Sequence, residues 1–128
     1  MREKYNPKNN KPTRRISLAP LVIPADPKYP ILKDIFVDVD GTLIIKGKLN
    51  VGLVNWCQDR KKEGFSIYLW SARGQNYAEC IAELYSVDSL FTAILPKPSY
   101  IVDDMGGQWS RYINILVPKD LQQDEKNK

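Results

Sequence analysis

The sequence predicts an α/β fold in three layers, with helices on both faces of a parallel sheet. Three observations carry this. Apolar β-forming runs alternate with stretches whose apolar residues recur at helical spacing, the pattern of strands joined by helical crossovers. The run Ile35-Phe36-Val37 is continuously apolar, as a strand buried on both faces should be. It then stops at Asp38-Val39-Asp40-Gly41-Thr42-Leu43. Carboxylates ending a buried strand are costly unless they face a cleft or a cation, and in open α/β sheets ligands bind at the carboxyl ends of the strands. Alternation along an extended strand would put Asp38 and Asp40 on the same side.

The elements follow in order. Residues 43–49 read as a small hairpin turning at Lys46-Gly47. Asn50 is a helix cap, and Val51, Val54 and Cys57 form a stripe with Leu53 and Trp56 beside it. Arg60-Lys61-Lys62 suit the end of that helix, where the dipole favours cations, and Gly64 stops it. Phe65–Trp70 is the second strand, ending at Ser71, and Ser71-Ala72-Arg73-Gly74 turns into a second helix. Tyr77, Cys80, Ile81, Leu84 and Tyr85 give that helix its stripe. Phe91–Leu95 is a third β segment, broken by Pro96-Lys97-Pro98. Tyr100–Val102 is a fourth strand, ending in Asp103-Asp104, and Ile113–Val117 is a fifth. Only residues 96–99 separate the third segment from the fourth, whereas a parallel crossover needs a dozen or more. Residues 91–95 are therefore expected to pair antiparallel, or to lie at the edge outside the main sheet.

A chain of 128 residues holds one domain and one core. It has no histidine, which excludes Ser-His and Cys-His catalysis. Cys57 and Cys80 both fall on helix stripes and read as small core residues, not a redox pair or zinc site. No apolar run approaches the ~20 residues that span a bilayer, and the basic start lacks a secretory apolar core because Ile16–Ile23 is short and broken by Pro20. A cytoplasmic protein with no membrane contact is expected. The net charge of +4 is uneven: residues 1–15 carry six basic side chains against one acidic, so the rest of the chain is near neutral. Residues 1–30 read as a basic, proline-rich tail or arm, with prolines at 20, 24, 27 and 30. Residues 31–120 read as the folded domain, and 121–128 as a frayed polar tail. The tail is a solubilising segment or a contact for nucleic acid. The arm lies on the domain surface or on a neighbouring subunit, which leaves a homo-oligomer open.

Four sites fall at strand ends in chain order: Asp38-x-Asp40-Gly41-Thr42, Ser71, Lys97 and Asp103-Asp104. This order resembles the haloacid dehalogenase-like (HAD) hydrolase superfamily, over roughly residues 34–117. The resemblance implies a Rossmann-like catalytic domain at 31–120. It implies a Mg²⁺-dependent phosphatase working through an aspartyl-phosphate, on a small phosphorylated metabolite such as a sugar phosphate or nucleotide. In that family Asp38 is the nucleophile and Asp40 the general acid and base. Thr42, Ser71, Ala72, Arg73 and Lys97 hold phosphate, and magnesium is held by Asp38, the Asp40 backbone carbonyl and the pair Asp103-Asp104, either of which can be the direct ligand. The residue types suit this chemistry. A carboxylate nucleophile splits one difficult step into two, a second carboxylate moves the proton, magnesium takes oxygen ligands, and a lysine holds phosphate as a point charge.

Asp40 narrows the reaction further, because dehalogenases and phosphonate-cleaving members lack it. Between Thr42 and Ser71 lie 28 residues, and between Ser71 and Lys97 lie 25, all used by predicted elements. Neither stretch has room for a cap domain, so a compact capless member is implied. Each residue also has a plainer reading: Asp40-Gly41 as a turn, Ser71 as a helix cap, Lys97 as a solvated loop lysine, Asp103-Asp104 as a cap of the next turn, and Trp70 and Trp109 as core or rim. Two other functions stay open, a phosphatase for nucleic-acid or protein phosphates and a non-catalytic binding protein that keeps the fold.

Overall fold

The computed structural model describes residues 32–111 and 113–121. The basic arm at 1–30 and the tail from 122 lie outside the described residues. The elements are β1 (Asp34–Asp38), β2 (Ile44–Ile45), β3 (Lys48–Leu49), α1 (Val51–Lys62), β4 (Ser66–Ser71), α2 (Gln75–Leu84) and β5 (Ala93–Pro96). Short 3₁₀ turns lie at Asp88–Leu90 and Gly106–Ser110. The main sheet is parallel, in the order β1-β4-β5, while β2 and β3 form a separate hairpin.

Local chemistry explains each boundary. The hairpin turns on Lys46 and Gly47 at φ +53° and +75°, the doubly positive pattern that two-residue hairpin turns require. Asn50 caps α1 by accepting from the Leu53 amide at 3.2 Å, and its own amide donates to the Thr42 carbonyl at 3.1 Å. Arg60, Lys61 and Lys62 fill the last turn, and Gly64 at φ +99° ends the helix.

Strand parity sorts the sheet into two unlike faces. Val37, Val39, Ile67 and Leu69 are buried in one core with Leu53, Val54, Trp56 and Cys57 of α1 and Ala78 and Ala82 of α2. The alternate residues face the other way. There Phe36 stacks on Tyr68 at 4.8 Å and meets Trp70 at the same distance, and Phe36 is exposed. Among the described residues the domain therefore has two layers, not three. The winding explains this. Both crossovers advance in one direction, β1 to β4 to β5, and right-handed crossovers that keep advancing leave their helices on one face. A third layer needs the chain to return past the other edge of β1.

Several expectations are corrected here. Residues 93–96 form an ordinary parallel strand at the sheet edge, in register with Tyr68–Ser71. The short connection that argued against this disappears, because residues 100–102 and 113–117 are not strands. Tyr100 and Val102 are almost wholly exposed, so their apolar run has no layer to enter. On α2 the buried positions are Ala78 and Ala82. Tyr77, Ile81 and Tyr85 are half-buried beside them, while Leu84 and Cys80 are exposed. The two small residues let the helix approach the sheet closely, which turns the larger side chains to its flank. Leu121 is buried in the core. No helix among the described residues is long and apolar enough to cross a membrane.

Candidate active site

The three parallel strands end near Asp38, Ser71 and Lys97 at the carboxyl edge of the sheet, where the side chains of Asp38 and Lys97 meet. Asp38 closes β1, opposite Trp70 in the register. Lys97 follows β5, where its amide donates to the Ser71 carbonyl at 2.9 Å. That bond extends the β4–β5 ladder by one step and aims the side chain back across the sheet. Its Nζ lies 3.2 Å from Asp38 Oδ1 and 5.9 Å from the centre of the Trp70 ring. The other carboxylate oxygen of Asp38 accepts from the Thr42 hydroxyl at 3.3 Å. Asp38 thus sits between a cation and a hydroxyl on the open, aromatic side of the sheet.

Asp40 does not share that environment. The strand ends at Asp38, Val39 turns inward and is fully buried, and Asp40 bridges to Ile44 instead of continuing the ladder. Strand alternation therefore does not set its direction. Its Oδ1 accepts from the Tyr77 hydroxyl at 2.7 Å, and its Oδ2 lies 3.4 Å from Arg73 Nη1. Arg73 also donates to the Tyr77 hydroxyl at 3.0 Å, with its guanidinium 3.8 Å from the centre of that ring. The Asp40 hydrogen bond comes first among the causes that raise the Tyr77 hydroxyl above the usual tyrosine range; it holds the phenol protonated as a donor.

Ser71 is buried, with 2% exposure, on the helix-covered side of β4. Its Oγ accepts from the Arg73 amide at 2.9 Å, which bends the chain toward α2. Gly74 then caps the helix at φ +104°, with no side chain on its N–H groups. Ala72 is exposed in the same turn.

The acidic pair is elsewhere. Asp103 and Asp104 are exposed on the segment after β5, and Asp103 accepts from the Met105 amide at 2.8 Å, capping a turn. Among the described residues no three acidic, histidine or cysteine side chains converge on a point that would hold a metal ion. Both Asp40 oxygens and both Asp38 oxygens already meet donors or cations. Magnesium takes carboxylate and water oxygens, so Asp38 and the Asp40 carbonyl are the groups at this edge that would hold it, with water filling the remaining positions.

Comparison with protein-family models, curated proteins and solved structures finds no match for this chain. The site rests on its own geometry. The structure brings together Asp38, Thr42 and Lys97, and separately joins Asp40 to Arg73 and Tyr77; Ser71 lies at the same sheet edge with its side chain on the opposite, helix-covered face. Tyr77 is the residue the sequence reading assigned to the core stripe alone. Its position three after Gly74, in the first turn of a helix that starts at the site, is the signal that placed it within reach.

Proposed function

We propose that this chain is a phosphomonoester hydrolase of the HAD-like, capless type, with Asp38 as nucleophile. The observation that supports it best is the Asp38–Lys97 pair at 3.2 Å, which joins the carboxyl ends of β1 and β5 across the intervening strand β4. A carboxylate held at a ligand-binding edge, beside one cation and one hydroxyl donor, suits attack on a phosphate better than a purely structural role. A surface ion pair of this kind adds only ~0.2–1 kcal/mol to stability.

In the proposed reaction an Asp38 oxygen attacks phosphorus as the bond to the leaving oxygen breaks. Asp40 gives that oxygen its proton. Water then attacks the aspartyl-phosphate, Asp40 takes the water's proton, and inorganic phosphate leaves with Asp38 regenerated. Lys97 offsets the negative charge that gathers when a phosphate meets a carboxylate, and Ser71 and the amides at the start of α2 donate to phosphate oxygens. The magnesium expectation is tested on its own, by comparing turnover in excess Mg²⁺ with turnover in a chelator.

The substrate class proposed is a small phosphorylated metabolite. A second reading, a macromolecular phosphate, is favoured by the openness of the site: the Arg73 and Asp40 side chains are 62% and 48% exposed. Assaying sugar phosphates and nucleotides beside 5′- and 3′-phosphorylated oligonucleotides separates the two. Asp38→Asn is expected to abolish turnover of the best substrate while circular dichroism stays unchanged. Wild-type turnover by that variant would end the proposal.

A further inference from the structure

The half-buried stripe of α2, Tyr77, Ile81 and Tyr85, reaches over the loop that follows β1. Tyr77 holds Asp40 at one end of that loop, and Tyr85 donates to the Gly47 carbonyl at 2.9 Å at the other. The two hydroxyls are two helical turns apart, so one face of a short helix clamps the segment 40–47 at both ends. Asp40 is otherwise a half-exposed aspartate beyond its strand, with nothing in β1 to choose its rotamer.

We propose that Tyr77 is the positioning residue for Asp40, and that Arg73, stacked on its ring, fixes the direction of the Tyr77 hydroxyl. The proposal rests on the reading of Asp40 as the proton donor to the leaving group. Arg73 Nη1 donates to the phenol oxygen at 3.0 Å, which leaves the phenol hydrogen to point at Asp40 Oδ1, 2.7 Å away. The carboxyl is then held from two sides, by Tyr77 on Oδ1 and by Arg73 on Oδ2. Tyr77 touches no reacting atom in this scheme. It acts through Asp40, by keeping a proton-transfer group within hydrogen-bond reach of the leaving oxygen.

Proton donation matters for a poor leaving group and little for a good one, which gives the proposal its own readout. The experiment measures kcat and KM of the wild type, Tyr77→Phe, Tyr85→Phe and Asp40→Asn with two probes, β-glycerophosphate and p-nitrophenyl phosphate. General acid–base catalysis contributes ~10²–10⁴-fold, so Asp40→Asn should lose most of that range on the alkyl ester and much less in the first step on the aryl ester. Tyr77→Phe should lose roughly tenfold in kcat/KM on β-glycerophosphate, as a part of that contribution. On p-nitrophenyl phosphate its kcat/KM should stay within about twofold, since a good leaving group needs little of that help. The comparison is made in kcat/KM because it reports the step in which the leaving group departs, whereas kcat also contains the hydrolysis of the aspartyl-phosphate that both probes share. Tyr85→Phe removes a clamp of the same chemistry at the far end of the loop, and should leave the ratio of the two activities unchanged. Equal losses on both probes in Tyr77→Phe, or no loss on either, would overturn the positioning role while leaving the hydrolase reading intact. An Asp40→Asn variant with no leaving-group dependence, or a wild type that turns over neither probe, would remove the reading of Asp40 and the proposal with it.

Discussion

Replacing Lys97 with methionine tests the site by separating what the lysine does for the fold from what it does for the reaction. Methionine keeps an unbranched apolar stem beside Trp70 and removes the charge, while the backbone bond from residue 97 to the Ser71 carbonyl is untouched. The Lys97 and Asp38 side chains are 38% and 31% exposed, so solvent screens their attraction and the pair contributes ~0.2–1 kcal/mol to stability. For a domain of this size that corresponds to a Tm change of at most about 8 °C. The reaction draws more from the same charge. A phosphate bound to Asp38 places negative charge roughly 4 Å from Nζ, where an effective dielectric of about 20 gives about 4 kcal/mol. Halving that for exposure leaves ~2 kcal/mol, or roughly 30-fold in kcat/KM. Lys97→Arg should recover part of the loss. The assays are thermal unfolding and p-nitrophenyl phosphate hydrolysis on the same preparation. Activity of Lys97→Met within threefold of wild type would refute the reasoning, and so would a large fall in Tm with activity per folded molecule unchanged.

Other outcomes follow from the packing. Asn50→Ala removes the α1 cap and the bond to the Thr42 carbonyl, and should cost about 1–2 kcal/mol in urea unfolding; Asn50→Asp should keep the cap and lose less. Leu69→Ala, at a fully buried position of the central strand, should cost ~3–5 kcal/mol by the same measurement; a cost under about 1 kcal/mol would contradict the core described above. The two thiols should differ. Burial pushes Cys57 up to about 12 while Cys80 is exposed, and only thiolates react with disulfide reagents. At pH 8 an aromatic disulfide should therefore titrate one thiol per native chain and two after unfolding.

Much of this arrangement was legible in the residues, and the failures share a cause. The caps and turns were readable because they depend on neighbours: Asn50, Lys46-Gly47 and Gly64 do what their local chemistry dictates. The strand ends at Asp38 and Ser71 were readable for the same reason, as apolar runs stopped by polar residues. The direction of Asp40 was not readable, because it is set by Tyr77, a residue 37 positions away on another element. The α2 stripe was misread because hydrophobicity ranks Leu84 and Cys80 above Ala78 and Ala82. Contact distance, which composition does not encode, puts the small residues inward. Tyr100–Val102 and Ile113–Val117 read as strands on propensity alone. β-Propensity describes fit to a half-buried pleated surface, and among the described residues no such surface receives them.

Among the described residues the outer edge of β1 is unpaired in the sheet order β1-β4-β5, and a row of open backbone groups is a template for another chain. Two copies meeting antiparallel about Phe36 would set Asp34 of each opposite Asp38 of the other. Like charges directly opposite across strands repel, so the carboxylate proposed to attack phosphate also keeps the edge from copying itself. Neutralising it alters colloidal behaviour as well as chemistry: Asp38→Asn should associate at concentrations where the wild type scatters light as a single species. Like charges placed opposite each other at the centre of the strand pair, by adding Phe36→Lys, should reverse that association without restoring turnover.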